Sequence, residues 1–249
     1  MSCVVPWRTA RADVPASMAL IVDDIGYSHS RLRLFLDLDV PMTFSVLPRL
    51  PLSRDLAREI ADTGRELMLH QPMEPINPAK NPGPGALYVG DRPERIADIL
   101  GTNLAEIPRA TGVNNHMGSR FTASSPEIVQ ALDVVKRNDL FFIDSMTSNR
   151  SIAFETARRM NLTSGRRSVF LDNRREASAV TDQMHRLETL AIRWGHAVGI
   201  GHPFEQTAEG IRRYLQQRSS DAVRLVMVSD TLEPIAEPPQ KTPARDFSG

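Results

Sequence analysis

The chain has one cysteine in 249 residues. An intrachain disulfide is therefore excluded, and so is a zinc site built from thiolates. It also lacks an excess of charge of either sign, with thirty Lys plus Arg against thirty Asp plus Glu. With no net field and no basic run, nucleic acid is not an expected partner. No stretch reaches the roughly 20 consecutive apolar residues that a membrane-spanning helix needs. The opening segment MSCVVPWRTARADVPAS has no apolar core of the signal-peptide kind. A GxGxxG turn is missing too. Gly26 stands alone behind Asp23 and Asp24, so a dinucleotide-binding fold loses its main support.

What is present is a regular alternation. Short runs rich in Val, Ile, Leu and Phe end in polar clusters, and amphipathic segments follow. The pattern predicts strands over 18–22, 42–47, 66–69, 112–115, 140–143, 168–171, 197–201 and 223–228. It predicts helices over 31–38, 53–63, 93–109, 126–137, 152–160, 177–194 and 205–217. Ser125 before Pro126 reads as a helix start. Gly64 and Gly195 stand where a helix needs a left-handed residue to stop. Helix 177–194 carries Val180, Met184, Leu187, Leu190, Ala191 and Trp194 on one stripe, a core-facing pattern.

Strands alternating with helices imply a parallel sheet. Eight strands with seven helices at this length suggest a closed or nearly closed α/β barrel in one domain over 17–232. Residues 1–16 and 233–249 are expected to be tails, the second rich in proline. An open doubly wound sheet produces the same local pattern and is the alternative. The stretch 71–91 holds five prolines and cannot be a regular helix. It is expected either to rim a cleft or to be a plain surface excursion.

In β/α folds the site gathers where the strands end. The expected strand ends here read Asp23-Asp24, His70, His116, Asp144, Asp172, His202 and Asp230. A cluster of carboxylates and imidazoles without thiolate suits zinc, manganese or iron. Each residue also has a structural reading. Adjacent carboxylates cap helices, and lone histidines satisfy hydrogen bonds. Asp172, beside Asn173, reads as a turn residue, and so does Asp230. Of the other histidines, His185 falls in a helix and His196 in a turn, and His29 lies in the loop after the first strand.

Asp23-Asp24-Ile25-Gly26, followed by Thr43-Phe44, resembles the opening motifs of polysaccharide deacetylases of the NodB-homology type. The ordered segments IVDDIGYS, HQPMEP, GVNNHMGSRFT, FFIDSMTS, VFLDN and GIGHP are closer to the divergent polysaccharide deacetylases, over about residues 17–232. The resemblance implies a distorted (β/α)7–8 barrel and a divalent metal, zinc first. It implies hydrolysis of N- or O-acetyl groups on a glycan such as peptidoglycan. A periplasmic or exported protein would follow.

By motif, Asp23 resembles the family's general base, Asp24 its metal-binding aspartate and His202 its general acid. Asp144 lies where the family has an aspartate that orients a catalytic group. His70 matches the first histidine of the metal motif, but Glu74 stands at the motif's fifth position in place of the second. His116 falls where an arginine motif is expected. The implied ligands are Asp24, His70 and His116, with Glu74 as the competitor. Two further readings stay open. One is a binding module for glycan or a partner on the same fold, without turnover. The other is a hydrolase for amides or phosphates, for which Arg120 is the only arginine near the strand ends.

Overall fold

The computed structural model describes residues 15–218 and 222–232. The expected tails fall almost wholly outside these residues. The described chain alternates strand and helix in the order β1 (Ala16–Ile25), α1 (His29–Leu36), β2 (Thr43–Val46), α2 (Ser53–Asp62), β3 (Glu66–Met73), α3 (Pro93–Glu106), β4 (Gly112–Met117), α4 (Ser125–Arg137), β5 (Phe141–Asp144), α5 (Ala153–Arg159), β6 (Ser164–Arg166), β7 (Val169–Phe170), α6 (Ala177–Trp194), β8 (His196–Gly201), α7 (Glu205–Gln217) and β9 (Val223–Val226). The extra strand is β6. Its sequence, Ser-Gly-Arg, has no apolar alternation, which is why the pattern did not predict it.

All strand pairs are parallel. Their order is β6-β5-β4-β3-β2-β1-β8-β7, with β9 also on β1. The sheet curls into a distorted barrel with one seam. β6 pairs with β5 and β7 with β8, so only residues 167 and 168 cross between them. No helix separates β6 from β7.

Strand parity sorts the apolar residues into two cores. Met18, Leu20 and Val22 of β1 join Leu69, Val113, Phe142 and Leu171 in the larger cluster, packed under the helices. Ala19 and Ile21 join Met68, Phe141, Ile143, Val198 and Ile200 in a smaller cluster inside the barrel. Gly112 belongs to the inner face, where a Cβ would overlap the Phe141 ring.

Gly64 and Gly195 both take positive φ behind α2 and α6. Helix α4 starts one residue earlier than predicted, with Ser124 as the capping position. Trp194 departs from its predicted stripe. It is the last residue of α6 and 65% exposed, beside a groove along the seam that Leu190, His196 and Leu232 also line. Among the described residues no helix covers it.

Candidate metal centre

The inner-face parity that buries Ala19, Ile21, Met68, Val198 and Ile200 continues to the strand ends. It directs Asp23, His70, Asn114 and His202 toward one end of the barrel. Asp24 follows Asp23 directly, so regular pleating would send it outward. A bulge prevents this. Val22 pairs with Phe44 and Ile25 with Val46, which leaves one extra residue on β1. Asp24 takes φ 56, a left-handed conformation rare outside glycine, and one that concentrates at functional sites. Both carboxylates thereby reach the same cleft.

Asp24, His70 and His116 each offer one ligand atom, all within 4.8 Å of one another. Asp24 Oδ1 lies 3.2 Å from His70 Nε2 and 2.9 Å from His116 Nδ1. It is buried without a hydrogen-bond partner among the described residues. An orphaned carboxylate oxygen between two imidazole nitrogens fits a divalent cation. One carboxylate and two histidines leave coordination positions open, as hydrolytic zinc sites do.

Asn114 sets the orientation of this group. It is fully buried. Its Oδ1 accepts from His70 Nδ1 at 2.7 Å and from the Ser45 hydroxyl. Its Nδ2 donates to Asp23 Oδ1 at 2.8 Å and to Ser145 Oγ at 3.3 Å. Every acceptor and donor of the amide is used. With its proton on Nδ1, His70 turns the Nε2 lone pair toward Asp24. In the sequence Asn114 stands out only as part of the GVNNHMGSRFT segment. The signal available was its place two residues before His116 on the same face of β4.

His202 Nδ1 is 2.9 Å from Asp172 Oδ1, and the backbone N–H of His202 donates to Asp172 Oδ2 at 2.6 Å. Thr207 donates to the same oxygen at 2.8 Å. His202 Nε2 then points into the cleft, 4.0 Å from Asp24 Oδ2. The ring lies between Phe170 and Phe204, at centroid distances of 6.1 and 5.9 Å.

One sequence expectation is corrected here and one alternative is set aside. Asp144 does not orient His202. It shares the outward parity of Phe142, and its oxygens accept from Met146 N, Ser151 Oγ and Phe154 N, so it fixes the turn into α5. The orienting aspartate is Asp172, which shares the inward parity of Phe170. Glu74 is not among the clustered ligands. Its Oε1 accepts from Arg120 at 2.8 Å and its Oε2 from Val89 N at 2.8 Å. It clamps the proline-rich stretch, which does reach the cleft through Pro75 and Lys80. The first residues of that stretch, through Met73, belong to β3. His29 pairs with Glu59 at 2.6 Å, away from the cleft.

The electrostatics divide the groups. Burial raises the Asp23 pKa, against attraction from His70 and His202. For Asp24 burial acts upward too, but the adjacent His116 and His70 rings outweigh it and hold the carboxyl well below the usual range. Burial opposes charge on His70, but Asp23 and Asp24 raise its pKa. Burial also opposes charge on His202, yet Asp172 and then Asp24 push it up to about 9. At neutral pH, Asp24 is a fixed anion and His202 carries a proton it can give.

Comparison with known proteins agrees with this architecture. A Haemophilus influenzae protein described as uncharacterized is 28% identical over 206 residues, which cover 83% of this chain and 73% of the relative. The crystal structure of the uncharacterized protein ATU2773 from Agrobacterium tumefaciens C58 is similar at TM-score 0.82 and 26% identity, over 91% of this chain and 92% of that one. The catalytic domain of a peptidoglycan N-acetylglucosamine deacetylase from Eubacterium rectale shares the fold at TM-score 0.54 and 12% identity, over 92% and 96% of the two chains. The sequence model of the divergent polysaccharide deacetylases matches residues 20–232. The chain belongs to the divergent polysaccharide deacetylase family.

Proposed function

We propose that the protein is a metal-dependent deacetylase that removes N- or O-acetyl groups from an envelope glycan, peptidoglycan being the first candidate. The observation that carries this reading is the orphaned Asp24 oxygen held between His70 and His116, with an acid and a base on either side. Asp24, His70 and His116 would hold the ion, zinc first among the candidates. When bound, such an ion acidifies a water and polarises the acyl carbonyl.

The chain's own residues supply the proton transfers. Asp23, the base candidate, takes the proton of the attacking water, and Asn114 directs one of its carboxylate oxygens. Its raised pKa strengthens it as a base. His202, protonated at neutral pH, gives its proton to the departing amine or alcohol. Asp172 keeps the donor atom Nε2 aimed into the cleft by holding Nδ1. Phe170 and Phe204 limit the ring to that plane and reduce access of bulk water.

Acetate release tests the proposal. Chelator-treated protein is expected to release none from an acetylated oligosaccharide, and added zinc is expected to restore release. Protein that binds the oligosaccharide without metal and never releases acetate would instead be a binding module.

A further inference from the structure

The cleft carries a charge pattern that acetyl transfer to water does not require. Its volume is about 560 Å³, within the range of small-molecule sites. Two cations line it besides the histidines, Lys80 from the proline-rich stretch and Arg175 from the β7–α6 connection. Neither has a hydrogen bond or ion pair from its side chain to a carboxylate among the described residues. The neighbouring Arg174 behaves differently and pairs with Glu176 at 2.9 Å. The acids in the cleft are already engaged. Asp23 is on Asn114, Asp172 on His202, and Asp24 on the two clustered histidines.

Arg175 also has an aromatic contact that places it. Its guanidinium lies over the Phe204 ring, 3.9 Å from the centroid, and the other neighbour of that ring is His202. Stacking occupies the face of a guanidinium and leaves its N–H edge free. A planar donor edge fixed beside a proton donor matches a carboxylate or phosphate bidentately, at little cost in side-chain entropy.

We propose that Arg175, assisted by Lys80, forms a recognition subsite for an anionic substituent, so that the substrate is an acidic glycan with a carboxylate or phosphate close to the acyl group. This deepens the deacetylase reading and rests on it for the word substrate. The subsite itself needs only the cleft.

The test uses three acetylated oligosaccharides of equal length, one neutral, one uronate-bearing and one phosphate-bearing. Calorimetric affinity and acetate release are measured for wild-type protein and for Arg175→Ala, Arg175→Lys and Lys80→Ala. Wild type is expected to bind an acidic chain at least about tenfold tighter than the neutral one, since charge-assisted hydrogen bonds carry that much. The preference should shrink with added salt, because the guanidinium edge is exposed. Arg175→Ala should abolish most of it, Lys80→Ala a smaller part, and Arg175→Lys should restore only a fraction, having charge without the planar edge. Preference for the phosphate chain over the uronate supports the subsite and assigns it to phosphate, and the reverse assigns it to carboxylate. Equal affinity for neutral and acidic chains, or a preference unchanged in Arg175→Ala, overturns the subsite. Acidic preference without acetate release keeps the subsite and overturns the deacetylase reading. Equal release from neutral and acidic chains with no binding preference overturns the subsite alone.

Discussion

Asn114 shows how one neutral side chain can organise two charged ones. Its amide ties His70 to Asp23 and is saturated by Ser45 and Ser145. Asn114→Leu leaves four polar groups to find new partners in a buried site, so stability should fall by about 1–3 kcal/mol. Zinc affinity, measured by chelator competition, should drop about 10–100-fold, as it does when outer-shell partners of metal ligands are lost. A variant that keeps full affinity would reduce Asn114 to packing. The two aspartates confused by sequence position separate in the same way. Asp172→Asn should reduce acetate release by about 10²–10⁴-fold, the scale seen when an orienting aspartate is neutralised. Asp144→Asn should change release only slightly and show its effect in thermal unfolding. His202 links the dyad to pH. Its folded pKa of about 9 exceeds the unfolded value of about 6.5. The stabilisation is therefore complete below about pH 6.5 and lost as pH rises through about 9, at most about 3 kcal/mol. The shift of His70 has the same sign. Urea unfolding of chelated protein across this range should show the decline, and Asp172→Asn should flatten it.

Strands and loops set which of these residues can meet. Five of the predicted strands bring a polar residue near their ends to the cleft because apolar runs and period-two burial are local signals. The bulge at Asp23-Asp24 was not legible, since it is defined by pairing with β2 rather than by β1 itself. Parity is legible in the sequence. Counting inward from Ile143 and Phe170 places Asp144 outside and Asp172 inside without any coordinates. Motif spacing leaves Glu74 as a competing ligand because its partners, Arg120 and the Val89 amide, are not visible in local sequence. The clamp makes a prediction at this scale. In Glu74→Ala, amides over 74–89 should exchange with solvent faster, and bound zinc per chain should stay unchanged. Loss of the metal would return Glu74 to the ligand set.

The whole molecule is a curled parallel sheet whose seam falls between β6 and β7 and whose site lies where five strand ends converge. Its fold class was readable from the alternation of elements, and its family from the order of short motifs. What the alternation could not supply was closure, because an open sheet and a barrel have the same local pattern and differ only in long-range pairing such as β1 with β8. The central claim is that the curl of the β1-β2-β3-β4 segment brings Asp24, His70 and His116 around one ion, while the β1–β8 pairing adds His202. A crystal soaked in zinc, with anomalous scattering recorded on both sides of the zinc edge, tests it most directly. A single strong peak is expected within about 2.0–2.2 Å of Asp24, His70 Nε2 and His116 Nδ1. A cleft with no peak, or a peak on Glu74 with the two histidines uninvolved, would contradict it.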